Sequence, residues 1–257
     1  MILESPDTFR QEDIPILEED FPVYSFLVDA QKKLSIPSLF GLMVEIAHHD
    51  AERRGWGYTG MIRQNQAWVF LRALIRVDRM PEWGETIRIR TWPKTMAGIT
   101  AYRDIEIKDA TGEIIISATT LWSIIDLEKR KPVRLTPGEY TVGRHGHMHA
   151  VEEKPVKING SEALRPVNSF RAAYNHTDMN LHVNNARYID WVFNEMPREL
   201  LQERTIREIQ VNFSAELMLD DKVEVLLSER ISVNGTYIGL IRNGETGQQA
   251  FAISFKF

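Results

Sequence analysis

The sequence predicts an α+β fold in which an antiparallel sheet wraps around one buried helix, with that unit present twice in tandem. Three observations carry this. The segment IPSLFGLMVEIAHHDAERRGWG places Leu39, Phe40, Leu42, Met43, Val44, Ile46 and Ala47 around a helix with almost no polar face. A helix apolar nearly all round is buried at the centre of a domain. Four strand-like segments follow it, several alternating apolar and polar residues with the period of two of a half-buried strand. After a proline-rich interval the same order recurs: strand, helix, then strands.

Taken in order, residues 21–29 (FPVYSFLVD) read as a strand, and a helix over 37–54 follows. Pro37 fits its first turn, and Gly55 and Gly57 fit its stop. Strands are predicted at 66–79, 86–92, 100–108 and 113–126, with Asp109-Ala-Thr-Gly112 as a turn. Residues 128–166 hold Pro132, Pro137, Pro155 and Pro166 and show little periodicity. The expected organisation is a first unit over 1–130, a linker over 131–166 and a second unit over 167–257. Within the second unit a strand is predicted at 167–174, a helix near 183–196 stopped by Pro197, and strands at 207–217, 222–230, 235–242 and 248–257. Asn234-Gly235 and Asn243-Gly244 are hairpin-turn dipeptides.

Composition excludes several classes. The 257 residues are 43% hydrophobic and 26% charged, ordinary for a globular chain that buries a large core. The net charge of −5 argues against nonspecific nucleic-acid binding, which needs basic character. With no cysteine there is no disulfide, no thiolate–zinc site and no thiol nucleophile. The acidic opening MILESPDTFRQEDIPILEED resembles neither a secretory signal nor a transit peptide, and no apolar run approaches the ~18 residues of a membrane span. A cytoplasmic location without membrane insertion is the expectation.

The densest polar stretch is YNHTDMNLHVNNARY, 174–188, just before the second helix. Asp178, Asn180 and His182 are spaced by two, which on an extended segment puts all three on one face. A carboxylate, an amide and an imidazole converging there could position a water and move a proton, with the helix N-terminus offering N–H groups to an oxyanion. The alternative is that they cap the helix and pack locally. Setting the halves in register sharpens the choice. An offset of 146 matches the helices and places Asp178, Asn180 and His182 on Lys32, Leu34 and Ile36; an offset of 136 matches the following strands and places Glu216 on Met80. The first half then carries ten additional residues after its helix. Groups present in one copy only are less needed for folding, so a single site in the second half is expected, with an apolar cavity from the first.

DMNLHVNNARYIDW (178–191) resembles the signature of the acyl-(acyl carrier protein) thioesterases. AWVFLRALIRVDRMPEWGETIRIRTWP (67–93), ATTLWSIIDLEKRKPVRL (118–135) and VNFSAELMLDDKV (211–223) extend the likeness over most of the chain. The resemblance implies a double hotdog, two sheets each wrapped around a helix. It implies release of free fatty acid from a fatty acyl-acyl carrier protein, with no cofactor and no metal. It assigns the family's catalytic Asp, Asn and His to Asp178, Asn180 and His182, and its glutamate to Glu216. Plant members often carry Cys after that glutamate; here Leu217 stands there, which favours a water-based mechanism. In that mechanism Glu216 and His182 activate the water, Asp178 orients them, Asn180 holds thioester or water, and N–H groups near Val183 and Asn184 meet the oxyanion. Which of Glu216, His182 and Asp178 is the base stays open. Strand parity puts Glu216 on the face of Asn212 and Ser214, opposite Val211 and Phe213.

The acyl chain is expected in the first half, against Leu39, Leu42, Met43, Ile46, Trp68, Phe70 and Met80, with Trp83 and Trp92 as slot or packing residues. Each of these residue types also suits a plain core. Glu45, His48 and His49 read as helix surface or a satisfied polar cluster. Lys129, Arg130, Lys131 and Arg134 form the densest basic run, which suits an acidic carrier protein or a solvated loop. His145, His147 and His149 lack the supporting ligands of a metal site. Two units in one chain leave monomer and homodimer both open. The rivals are an acyl-CoA thioesterase, a hotdog hydroxyacyl dehydratase and a non-catalytic acyl-binding protein.

Overall fold

A computed structural model describes residues 14–136, 143–158, 164–178 and 181–257. In the first half β1 (Leu17–Pro22), α1 (Ile36–Arg53), α2 (Tyr58–Arg63), β2 (Gln66–Val77), β3 (Thr86–Ala97), β4 (Thr100–Lys108), β5 (Ile114–Asp126) and the two-residue β6 (Lys131–Pro132) follow one another. The second half holds β7 (Leu164–Arg171), α3 (Asn185–Glu195), α4 (Arg198–Glu203), β8 (Glu208–Phe213), β9 (Lys222–Ser228), β10 (Thr236–Asn243) and β11 (Gln249–Lys256). The long strands and both central helices match expectation within a few residues. The strand expected at 21–29 stops at Pro22, and a 3-10 turn occupies Ser25–Leu27 instead.

Local chemistry explains both helix starts. The Ser35 hydroxyl accepts from the Ser38 N–H, and Pro37 sits in the first turn of α1, where its missing donor costs nothing. The Asn184 side chain accepts from the Ala186 N–H to start α3.

All strand pairs are antiparallel and form a single sheet in the order β1-β3-β4-β5-β2-β8-β11-β10-β9-β7, with β6 on the end of β5. Each half repeats the same strand order, mirrored across the β2–β8 junction. At that junction Leu74 stands opposite Gln210, and the offset of 136 makes these two residues equivalent. The pseudo-two-fold axis therefore runs through this pair.

The hydrogen bonds give the register of the repeat directly. The 3-10 turns at Ser25–Leu27 and Tyr174–His176, the left-handed residues Lys32 and Leu181, and the caps Ser35 and Asn184 all lie 149 apart. The Leu34 N–H to Pro81 carbonyl bond recurs as Val183 to Leu217, each 2.8 Å. The offset before the helices is thus 149, not 146. Helical periodicity explains the slip: moving a nearly all-apolar helix by three residues leaves its buried stripe almost in place. The first half consequently carries thirteen additional residues, not ten, between its helix and β2. α2 lies in that interval. In the second half Pro197 stands where α1 has His48, and the helix breaks there into α3 and α4.

Both central helices pack on the same concave face and share one core. Leu39, Phe40, Met43 and Ile46 of α1 join Tyr188, Ile189 and Val192 of α3. The segment expected to link the halves lies across the outer face. Its Met148 carbonyl accepts from Trp92 Nε1 (3.4 Å), its Val151 carbonyl from Lys94 Nζ, and its Ala150 and Ile158 N–H groups donate to Asp104 (2.7 Å) and Asn212 (2.5 Å). These anchors lie on β3, β4 and β8, so the segment spans both halves and supplies polar partners to an otherwise bare sheet face.

Candidate active site

Asp178 and His182 stand on a tight turn rather than on an extended strand. Thr177 bridges to Val183, the Asp178 N–H donates to the His182 carbonyl (2.8 Å), and the Leu181 N–H to the Asp178 carbonyl (3.1 Å). Leu181 takes a left-handed φ of 61° to close it. Side-chain alternation therefore does not apply here. Asn180 lies outside the described residues.

The corrected register changes the meaning of Asp178. Its equivalent is Asp29, which closes the same turn in the first half. Asp29 Oδ1 accepts from the Lys33 N–H (3.1 Å), and Asp178 Oδ1 from the His182 N–H (3.2 Å). A carboxylate repeated in both halves with the same bonds has a folding role. The groups without a counterpart are His182, which replaces Lys33, and Glu216, which replaces Met80. In sequence register Asn180 falls on Gln31. Asp29→Ala and Asp178→Ala should each lower stability by about 1 kcal/mol, seen in thermal melts. Asp29→Ala should leave turnover unchanged, whereas Asp178→Ala should reduce it by loosening the turn that holds His182.

Glu216 reaches the same place by leaving its strand. β8 ends at Phe213, where the Ser214 and Ala215 N–H groups both donate to the Ala250 carbonyl (2.8 and 3.3 Å). This irregularity breaks the parity. Asn212 points to the outer face and bonds Ile158 and Val156, while Glu216 turns inward beside His182. The buried Tyr188 hydroxyl accepts from the Leu217 N–H (2.9 Å) and pins the backbone next to the glutamate. Burial pushes that hydroxyl far above its ordinary pKa, so it stays protonated. Glu216 Oε1 lies 3.7 Å from His182 Nδ1, and Arg130 Nη2 donates to Glu216 Oε2 at 2.5 Å. In the sequence Arg130 belongs to a basic run that suits a carrier surface or a solvated loop; its place beside Glu216 depends on the β5–β6 turn meeting the other half, which no local motif signals.

The N–H groups expected for an oxyanion are occupied. Val183 donates to the Leu217 carbonyl (2.8 Å) and Asn184 to the His176 carbonyl (2.9 Å). The next donor along, the Asn185 N–H at the first position of α3, has no partner among the described residues, and Asn185 lines the cavity.

That cavity has a volume of about 1050 Å³, at the upper end of ligand pockets. Asp178, His182 and Glu216 line it in the second half, and its wall continues into the first half past Phe70, Trp68, Trp56, Met61, Met96 and Ala101. Passing from β8 over β2 and β5 to β4 is three strand spacings, about 14 Å. Of the seven residues expected to form the slot, Trp68 and Phe70 line it. Leu39, Met43 and Ile46 are buried in the shared core, and Leu42 and Met80 pack against it, so none of these five meets the cavity. The α1 face towards the cavity is Val44, Ala47, His48 and Ala51, one helical step round. Trp56, Tyr58, Met61 and Ile62 come from the thirteen-residue excess of the first half. The insertion thus builds part of the cavity wall.

Trp92 is fully buried under the outer segment, and Trp83 is exposed. His49 bonds Glu19 and Glu45 at 2.8 and 3.1 Å, and its hydrogen bond to the Glu19 carboxylate raises its pKa above the usual imidazole value. His176 is a turn residue: its Nδ1 accepts from the Ala173 N–H (2.9 Å). Among the described residues no three His, Asp or Glu side chains form a metal-binding group. No helix among them is long and apolar enough to cross a membrane.

Two hotdog-type halves sharing one sheet, with an acid–imidazole cluster on an elongated, chiefly apolar cavity, define a double-hotdog protein. Family models for the N-terminal and C-terminal domains of acyl-ACP thioesterases match residues 16–141 and 162–257. A solved acyl-ACP thioesterase from Bacteroides thetaiotaomicron superposes with a TM-score of 0.86 at 27% identity, over 94% of this chain and 97% of that one. The 12:0-ACP thioesterase from Umbellularia californica shares the fold, with a TM-score of 0.77 at 23% identity over 94% and 96% of the two chains. A chloroplastic acyl-[acyl-carrier-protein] hydrolase of Cuphea viscosissima is 29% identical over 240 residues, 86% of this chain. The chain spans 56% of that relative's length. The chain belongs to the acyl-ACP thioesterase family.

Proposed function

We propose that the protein hydrolyses the thioester of fatty acyl-acyl carrier protein and releases free fatty acid. The observation that carries this is the joining of a Glu–His pair to one end of a long, chiefly apolar cavity. In this reading the acyl chain lies along Phe70, Trp68 and Met61, and the thioester rests beside Glu216 and His182. Glu216 and His182 together take a proton from a water, whose oxygen attacks the carbonyl carbon. The Asn185 N–H supports the oxyanion in place of the occupied Val183 and Asn184 donors. Collapse expels the pantetheine thiolate, which takes up a proton. Asp178 keeps the His182 turn closed, and Asn180 retains its expected part in holding thioester or water.

The slot assignment makes a prediction. Ala101 is buried, lines the cavity and stands on β4, three strands from the β8 that leads into Glu216. Ala101→Phe should cut turnover of the longest chains accepted by the wild type at least tenfold while sparing short ones. Competition between acyl-carrier substrates of different length reads this ratio directly. The reading itself is tested by incubating the protein with matched acyl-carrier proteins and acyl-CoAs and measuring fatty acid and free thiol together. Equal release on both carriers would favour the acyl-CoA enzyme, and loss of water from a hydroxyacyl carrier without thiol release would favour the dehydratase.

A further inference from the structure

The geometry points to Arg130 as a positioning residue for the Glu216 carboxylate; this rests on the thioesterase reading above. Arg130 belongs to the first half and Glu216 to the second, so the contact crosses between them. Arg130 ends the turn between β5 and β6 in a left-handed conformation, φ 53°, which a non-glycine residue adopts at an energetic cost. The turn is held on several sides. The Arg130 N–H donates to the Asp126 carbonyl (2.9 Å), Asp126 Oδ1 accepts from the Glu128 and Lys129 N–H groups (3.0 and 2.8 Å), and the Leu127 N–H donates to the Asn65 carbonyl (2.9 Å). The guanidinium is therefore delivered from a fixed base.

Its effect on Glu216 is geometric. Nη2 holds Oε2 at 2.5 Å, and Oε1 is left facing His182 Nδ1 at 3.7 Å. Glu216 sits outside any strand, and the two side chains that reach its carboxylate among the described residues are Arg130 and His182. Without Arg130 the side chain is free to rotate away from the imidazole. The neighbouring cations behave differently: Lys129 pairs with Asp126 at 3.6 Å, and Lys131 and Arg134 are exposed. Those two remain suited to a carrier surface, whereas Arg130 lines the cavity itself. Because the pair is half-exposed, its loss should not unfold the protein.

The test uses Arg130→Ala and Arg130→Lys in the full chain. kcat and KM are measured with one acyl chain carried either on acyl carrier protein or on N-acetylcysteamine, which lacks the protein. A positioning role predicts that Arg130→Ala lowers kcat about 10- to 100-fold on both substrates, with KM little changed, and that Arg130→Lys recovers most of the loss. A rise in KM confined to the carrier-protein substrate, with kcat intact, would overturn the assignment in favour of docking. So would unchanged kinetics. Crystal structures of wild type and Arg130→Ala give a readout independent of turnover: one Glu216 rotamer facing His182 in the first, and a different or spread side chain in the second. The same single rotamer in both would contradict the proposal. A wild type inactive on both substrates would instead overturn the hydrolase reading, leaving the rotamer comparison to decide the role of Arg130.

Discussion

His182→Ala should abolish fatty acid release while leaving the melting temperature close to that of the wild type. The turn around residue 182 is held by backbone bonds, the Asp178 N–H to the His182 carbonyl and the His182 N–H to Asp178 Oδ1, and alanine keeps both. The imidazole lies beside Glu216 at 3.7 Å, and its equivalent in the other half is Lys33, so the fold does not require an imidazole there. A general acid–base group contributes about 10²- to 10⁴-fold, so a loss of that size is expected in kcat. Glu216→Gln should fall in the same range, because it keeps the shape and removes the negative charge. The double variant should lose little more than either single one, since the two groups act on one water. Steady-state release assays with thermal melts on the same samples check all three.

Asp50→Ala should produce the largest loss of stability of any single change considered. Asp50 is completely buried on α1 and accepts from Arg54 Nε (2.8 Å), Arg103 Nη1 (2.7 Å) and Arg53 Nη2 (2.7 Å). Burial alone would raise its pKa, but the charges of Arg103 and Arg54 outweigh it and hold the carboxyl below its ordinary value. Removing it strands two buried guanidinium groups, and breaking a buried pair in this way costs roughly 3–5 kcal/mol. For a chain of this size that corresponds to a fall in melting temperature of about 10 °C or more. Asp50→Asn should be milder, since it keeps an acceptor. A carboxyl with a lowered folded pKa contributes stability above its unfolded value and loses it as pH falls through the folded value. The wild type should therefore lose this contribution only in acid, and Asp50→Ala should lack it at every pH. Arg103 also lines the cavity, so the variant should lose turnover of long chains even where it stays folded.

Most of the fold was legible because its signals are local. Alternation marked the strands, the all-apolar face marked α1, and Pro37 marked its first turn. What escaped the sequence depends on distance or on periodicity. The three-residue slip between the halves came from the helical repeat itself. It hid the pairing of Asp29 with Asp178, and with it the folding role of a residue whose apparent uniqueness suggested chemistry. The orientation of Glu216 follows from the chain leaving β8 at Phe213, which strand parity cannot register. The cavity wall was expected mainly from residues that prove to be core, because core and cavity-lining residues share one composition. α2, which supplies part of the wall, is six residues long and too short to show a period. Arg130 and Asp50 were not recognised as site and core residues because their partners lie 86 and 53 residues away.

The most direct measurement is parallel release of fatty acid and free thiol from a ladder of acyl-carrier proteins and the matching acyl-CoAs. The expected result is stoichiometric hydrolysis of carrier-bound chains, faster than that of the CoA esters, with a length optimum that Ala101→Phe shifts downward. Binding of acyl-carrier protein with no thiol released from either series would contradict the hydrolase reading and leave the Glu216–His182 pair without the role proposed for it.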